Sequence, residues 1–291
     1  MEPQSSAIEL GSSSSSTALH SKPLSPALGA EIVGVDLRRP MDHGLAAHLL
    51  DVWHRNLVIL LRDQHLSEDD QVRFAQRFGP LAVSHTRRFT TANPAVMLIS
   101  NIRENGKQIG ALPDGEMQFH SDQCYQEKPA MASMLYAIEI PSRGGHTLFA
   151  NAYKAYETLT EDVKRRLDGR KAIHAYDYDT ASTKRGTRIK EGVPCFAHPA
   201  VRTHPATGRK ALYVNRLMTV AIEGLPEAES DALLNFLFDH QEKPEFIYEH
   251  VWRVDDVLMW DNRCTLHART DFNPDERRLM RRVTILGEKP F

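Results

Sequence analysis

Two histidines and an aspartate are the residues of this chain best suited to chemistry. His120 and Asp122 stand two apart in Phe119-His120-Ser121-Asp122, and His267 lies far downstream in Trp260-Asp261-Asn262-Arg263-Cys264-Thr265-Leu266-His267. On an extended strand, side chains two apart share a face, so His120 and Asp122 are placed to chelate one ion while Ser121 turns away. A second imidazole brought in by folding completes a 2-His-1-carboxylate facial triad. That ligand set leaves coordination positions open and suits non-haem Fe(II). Downstream of His267 come Arg278 and Arg282, cations placed to hold an anionic co-substrate beside the metal. Taken singly, a His-x-Asp pair or a lone histidine is weak, because short patterns recur by chance. Their combination reads as an oxygenase.

The elements that must position these residues follow from periodicity. Structure is expected to begin near Leu24, after a serine-rich, low-complexity stretch over 1–22 that reads as disordered. Alternation over 29–37 and the apolar run 57–61 read as strands. Helices are expected over 43–55, from the Ser67 capping box through Phe78, over 152–167 and near 226–240. Short strands are expected at 95–100, 116–124, 131–140, 146–151, 199–203, 211–215, 246–253, 256–261 and 281–287. Asp122 thus falls on a predicted strand, and 177–195 reads as a mobile loop able to act as a lid. Many short strands with helices outside them predict a mainly β (α+β) fold with a jelly-roll or cupin-like core.

Bulk composition narrows the function. The 291 residues carry a net charge of −2, which gives no electrostatic case for nucleic acid or an anionic membrane as partner. No apolar run approaches the ~20 residues of a membrane helix, and the first residues do not resemble a signal peptide. Three scattered cysteines, Cys124, Cys195 and Cys264, lack the spacing of a disulfide framework or a zinc–thiolate site, and a reducing cytoplasm is the expected setting.

From about residue 23 to the C-terminus the chain resembles the TauD/TfdA family of Fe(II)- and 2-oxoglutarate-dependent dioxygenases. The marks are Leu28-Gly29-Ala30-Glu31-Ile32, Arg77-Phe78-Gly79-Pro80, Phe119-His120-Ser121-Asp122, Gly144-Gly145-His146-Thr147, Trp260-Asp261-Asn262-Arg263 and Arg277-Arg278-Leu279-Met280-Arg281-Arg282. The resemblance implies a double-stranded β-helix in a single domain over 23–291 and a homo-oligomer, dimer or tetramer. It implies His120, Asp122 and His267 as iron ligands, with Thr147 and Arg278 holding the distal carboxylate of 2-oxoglutarate. Arg282 would lie near the anionic group of the substrate or near 2-oxoglutarate. The reaction implied consumes O2 and converts 2-oxoglutarate to succinate and CO2 while a substrate C–H is hydroxylated. Asp122 itself favours hydroxylation over halogenation, which needs a small residue there.

The residues agree with that assignment. Three protein ligands leave two positions for a bidentate 2-oxo acid and one for O2. A guanidinium fork matches a carboxylate with two bonds. On a strand, 278, 280, 282 and 284 share a face, so Arg278 and Arg282 can point into one barrel, whereas Arg277 and Arg281 read as a solvated basic cluster. A small anionic substrate is expected, a sulfonate, a phenoxyalkanoate or another carboxylate, with Ser84, His85, Glu116, Tyr125, Tyr176, Tyr178 and Asn215 as candidate pocket residues. The family pattern usually has Asp at His146 and Trp at Phe119. Where taurine enzymes present a histidine, an amide and an aromatic ring, this chain has Ser84, Glu116 and Thr180. An acid at Glu116 would repel a sulfonate and argues against taurine. The competing readings are a zinc-dependent cupin-type hydrolase or isomerase, a non-catalytic small-molecule-binding barrel, and a nucleic-acid demethylase, against which the near-neutral charge argues.

Overall fold

The computed structural model describes residues 20–84, 88–179, 184–185 and 191–291. Seven strands form the larger sheet, in the order His20–Pro23, Ala30–Val33, Val58–Leu61, Val257–Asp261, Ala130–Glu139, Leu279–Leu286, Val96–Ser100. Four strands form a second sheet, in the order Ile247–His250, Thr147–Asn151, Thr265–Arg269, Met117–His120. The chain is mainly β with few helices.

The centre of the larger sheet is buried on both faces, which is why Val257-Leu258-Met259-Trp260 is a continuous apolar run rather than an alternating one. Val257 and Met259 face a core shared with Leu49, Trp53 and Phe74 of the helices His43–Asn56 and Glu68–Ala75. Leu258 and Trp260 point the other way, into a core shared with Phe149 of the four-stranded sheet, whose ring centroid lies 5.4 Å from that of Trp260. The two sheets therefore face each other, with helices over the outer side of the larger one.

Local chemistry sets the helix ends. Asp42 accepts the Leu45 N–H to start His43–Asn56, and Ser67 with Asp70 forms the expected capping box. Such caps contribute about 1 kcal/mol each. The second helix stops at Ala75, short of the expected Phe78. The single helix expected over 152–167 is two, Ala152–Glu157 and Glu161–Leu167. The Thr158 hydroxyl donates back to the Lys154 carbonyl, and the Thr160 side chain caps the second helix by accepting from Val163. The first strand, His20–Pro23, pairs with Ala30–Val33, so order begins before Leu24 and within the stretch expected to be disordered. Residues 1–19 lie outside the described residues. So does much of the expected lid, of which Tyr178–Asp179 pairs with Lys184–Arg185.

Candidate active site

His120 ends the edge strand Met117–His120, and in the antiparallel ladder its partner is His267, at the middle of Thr265–Arg269. Cross-strand pairing thus brings together residues 147 apart in sequence, and the imidazole centroids are 4.0 Å apart. The sequence predicts Asp122 on the strand; instead it lies past the strand end and opens the turn that follows, where Gln123 has φ +58. Its carboxylate still reaches the histidines: Oδ1 is 4.0 Å from His120 Nε2 and Oδ2 is 3.9 Å from His267 Nε2. All three side chains are buried.

The surroundings orient each donor. His120 Nδ1 is 2.9 Å from the Gln118 carbonyl, which as an acceptor fixes the proton on Nδ1 and leaves the Nε2 lone pair facing Asp122. The Ser133 hydroxyl donates to Asp122 Oδ2 at 2.5 Å, and the Asn262 amide donates to Ser133 Oγ at 3.3 Å. Asn262 Oδ1 accepts from Trp260 Nε1 and from the Asp122 backbone N–H. Burial opposes ionisation of Asp122, but His267, Arg282, His120 and the Ser133 hydroxyl outweigh it and hold the carboxyl well below the usual range. Burial holds His120 below its ordinary value, and burial with the His120 neighbour lowers His267 to about 3. Two neutral imidazoles and one carboxylate are the ligand states a divalent metal requires.

A cavity of about 110 Å3 adjoins this cluster, lined among others by His120, His267, Thr147, Trp260, Arg269, Arg278 and Arg282. Arg278 is 2% exposed. Its Nη2 donates to the Gly145 carbonyl at 3.4 Å, and among the described residues its Nε has no partner. Burial and the nearby Arg269 bring its pKa down to about 9. The Gly144-Gly145 turn makes room for it. Both glycines have positive φ, and a Cβ on Gly145 would stand 3.3 Å from Arg278 Nε, so glycine answers both the backbone and the close approach. Thr147 Oγ1 accepts from Trp252 Nε1 at 3.0 Å, which leaves the hydroxyl proton available for donation into the cavity. Arg282 Nη1 lies 3.6 Å from Asp122 Oδ1.

A wider cavity of about 700 Å3 opens from the inner one. Ile99, Ala111 to Pro113, Met117, His120 and Arg282 line both. Its walls carry Arg88 and Arg103 together with Phe89, Met97, Tyr125, Tyr176 and Met218. Of the expected pocket residues, Tyr125 and Tyr176 are there, with ring centroids 4.8 Å apart. Ser84 and Glu116 line neither cavity, and Glu116 is exposed. The expected repulsion of a sulfonate by Glu116 therefore has no structural basis. Asn215 is also misplaced by the sequence reading. It is buried, its Oδ1 accepts the Met218 N–H and its Nδ2 meets Cys124 Sγ, so it braces a turn. His85 and Thr180 lie outside the described residues, and nothing of the Tyr178 side chain is described.

Arg281 is a further correction. It is not solvated but buried on the opposite face, over the Tyr136 ring and donating to the Leu66 carbonyl. Arg277 is exposed and paired with Glu139. Sequence reasoning missed Arg269, Trp252 and Ser133. Arg269 carried a signal, its place two residues beyond His267 on one strand face; Trp252 and Ser133 carried none. Among the described residues a second cluster of this composition, His54, His204 and Asp261, brings its donor atoms together. There Asp261 is clamped by Arg263 through both oxygens.

A pair of facing sheets enclosing a two-histidine, one-carboxylate cluster next to an unpaired buried arginine is the layout of a metal-dependent enzyme with an anionic co-substrate. The family model described as "Taurine catabolism dioxygenase TauD, TfdA family" matches residues 20–284. The (S)-phenoxypropionate/alpha-ketoglutarate-dioxygenase of Sphingobium herbicidovorans is 33% identical over 91% of this chain and 94% of its own. A taurine dioxygenase structure from Burkholderia xenovorans superposes with a TM-score of 0.80 at 33% identity, covering 94% of this chain and 90% of that one. The structure of AAD-2 in complex with Mn(II) and N-oxalylglycine has a TM-score of 0.78 at 27% identity, covering 94% and 99%. This chain belongs to the TauD/TfdA family, whose members here are alpha-ketoglutarate (2-oxoglutarate)-dependent dioxygenases. The zinc-hydrolase and non-catalytic readings give way to that.

Proposed function

We propose that this dioxygenase hydroxylates a small anionic organic substrate, with His120, Asp122 and His267 as the iron ligands and Arg278 with Thr147 holding the distal carboxylate of 2-oxoglutarate. The observation that carries the reading is Arg278. A fully buried guanidinium with no carboxylate in contact among the described residues is costly unless an anion completes it, and this one borders the same small cavity as the histidines. Iron with 2-oxoglutarate and O2 supplies the oxidising power to hydroxylate an unactivated C–H, 2-oxoglutarate leaving as succinate and CO2. The protein's part is positional. Gln118 and Ser133 aim the His120 and Asp122 donors, Trp252 turns the Thr147 proton inward, and Trp260, Leu135 and Ile99 give the cavity apolar walls.

For the substrate, the relatives act by name on a phenoxypropionate and on taurine, one bearing a carboxylate and the other a sulfonate. The wider cavity favours an anion with an apolar body. Arg88 and Arg103 supply positive charge, while Phe89, Tyr125, Tyr176 and Met97 supply apolar contact. Arg282 is partly satisfied by Asp122 and so serves the metal carboxylate as well as any substrate anion. The two facing sheets are read as a jelly roll, and the region from 23 onward as one catalytic domain. Free Cys124, Cys195 and Cys264 support a cytoplasmic setting, with a dimer or tetramer as the assembly. The test is an anaerobic titration with Fe(II) and 2-oxoglutarate, following the visible metal-to-ligand charge-transfer band. A band that saturates in the wild type and is lost in Arg278→Ala and His267→Ala is expected. No band in protein that binds one Fe(II) rejects the reading. Candidate aryloxy carboxylates and sulfonates are then ranked by how they perturb the band.

A further inference from the structure

Arg269 borders the inner cavity and has no part in the reading above. It ends the strand Thr265–Arg269, and its partner in the antiparallel ladder is Thr147. Residues directly opposite in such a ladder present their side chains on one face with Cβ atoms about 4.5–5.5 Å apart. Like Arg278, Arg269 is buried and lines the 110 Å3 cavity. Its Nη2 donates to the carbonyls of Pro113, at 2.7 Å, and Gly115. Its Nε and Nη1 are buried without a partner, as is Nε of Arg278. Among the described residues neither arginine has an ion-paired acid; Asp271 and Asp114 act on Arg269 only at longer range.

Two buried guanidiniums facing one small cavity repel each other and are each poorly solvated. An anion between them removes both penalties. We propose that Arg269 is a second binding residue for the distal carboxylate of 2-oxoglutarate, which is then held between Arg278, Arg269 and the Thr147 hydroxyl. This rests on the co-substrate reading given above. It follows that the chain discriminates strongly against 2-oxo acids that lack a distal carboxylate. The bland alternative is that Arg269 serves only to pin Pro113 and Gly115, and with them a wall shared by both cavities. The two roles separate experimentally, because a lost wall contact weakens every ligand whereas a lost carboxylate contact weakens only a dicarboxylate.

Anaerobic calorimetric titrations of the Fe(II)-loaded protein with 2-oxoglutarate and with 2-oxobutyrate, which lacks the distal carboxylate, make the distinction. Arg269→Gln is expected to weaken 2-oxoglutarate about 10- to 100-fold, the cost of one charge-assisted hydrogen bond, and to leave 2-oxobutyrate nearly unchanged. Equal weakening of both ligands, or of neither, overturns the assignment. If the Gln variant does not fold, Arg269→Lys carries the same comparison, with a smaller drop confined to 2-oxoglutarate as the supporting result. A wild type that does not prefer 2-oxoglutarate, or an Arg278→Ala variant that binds it normally, rejects the co-substrate reading itself and this inference with it. Loss in Arg278→Ala with no change in Arg269→Gln rejects the inference alone.

Discussion

His120, Asp122 and His267 have a counterpart in the same molecule. His54, His204 and Asp261 also bring two imidazoles and a carboxylate within 4.8 Å of one another. The hydrogen bonds separate the two clusters. His204 Nδ1 accepts from the backbone N–H groups of Ala206 and Thr207, so its proton sits on Nε2 and is donated to Asp261 Oδ2 at 3.0 Å. Neither ring nitrogen of His204 retains a lone pair for a metal. Both Asp261 oxygens are bound by Arg263, at 2.9 and 2.8 Å. Against the opposing effect of burial, Arg263 and His204 hold the Asp261 carboxyl far below its ordinary range. In the first cluster His120 gives its proton away on the far side of the ring, and Asp122 Oδ1 stands 3.6 Å from Arg282 Nη1 and 4.0 Å from His120 Nε2 with no short clamp among the described residues. Matching residue types at matching distances thus yield an ion pair in one place and, in the other, a set of donors free to take a metal. What decides is which lone pairs remain unspent.

That contrast breaks most visibly at the histidines. His267→Ala is expected to abolish stoichiometric Fe(II) binding, a loss greater than the roughly 10- to 100-fold typical of removing only a supporting hydrogen bond. His204→Ala is expected to leave the iron-to-protein ratio of the folded protein unchanged. Metal analysis after gel filtration reads both, and iron lost from the His204 variant would erase the distinction. A smaller effect is expected from Asp261→Asn, which leaves Arg263 buried without its counter-charge and costs about 3–5 kcal/mol. Urea denaturation measures it, and a change within 1 kcal/mol of zero (the range of about 0–1 typical of surface pairs) would mean that the pair is not holding the segment. The smallest effect sharpens the comparison with a third group, His174 and His198, whose ring centroids are 5.7 Å apart. His174 is fully buried and held neutral by burial, its pKa lowered to about 3, against about 6.5 in an unfolded chain. Only the unfolded chain takes up this proton between those values. Stability is therefore intact above about pH 6.5 and falls as pH drops toward 3, by up to about 1.4 kcal/mol per pH unit. His174→Gln should flatten this acid limb between pH 6.5 and 5 in denaturant melts. An unchanged slope would assign the acid sensitivity elsewhere.

The grouping of His120, Asp122 and His267 was legible in the sequence because two of its three residues are local. A His-x-Asp spacing survives even though Asp122 lies just past the strand end, since its carboxylate still comes within 4.0 Å of His120 Nε2. His267 was reachable through its motif, although the roles of Asp261, Asn262 and Arg263 as clamp and brace appear only when Ser133 and His204 fold against them. Arg278 and Arg282 were found, but the alternation argument assigned Arg281 to solvent, and a sheet buried on both faces has no solvent side there. The pocket guesses at Ser84, Glu116 and Asn215 failed for a different reason. They sit in connecting segments, where spacing does not encode direction. Trp252 and Ser133 act through partners more than 10 residues away, and a single sequence contains no sign of that.

The strand order has a consequence for how such a protein can change its diet. The wider cavity is walled by Met97 and Ile99 of Val96–Ser100 and by Met117 of Met117–His120, and these are the outermost strands of their sheets on that side. His267, Thr147 and Arg269 sit on interior strands of the smaller sheet, locked between neighbours. An outermost strand has one hydrogen-bonded neighbour rather than two, so its side chains can be exchanged with less disturbance to the rest of the sheet. Exchanges at Met97 and Ile99 can therefore reshape the wider cavity without touching the interior strands, whereas Met117 shares its outermost strand with His120.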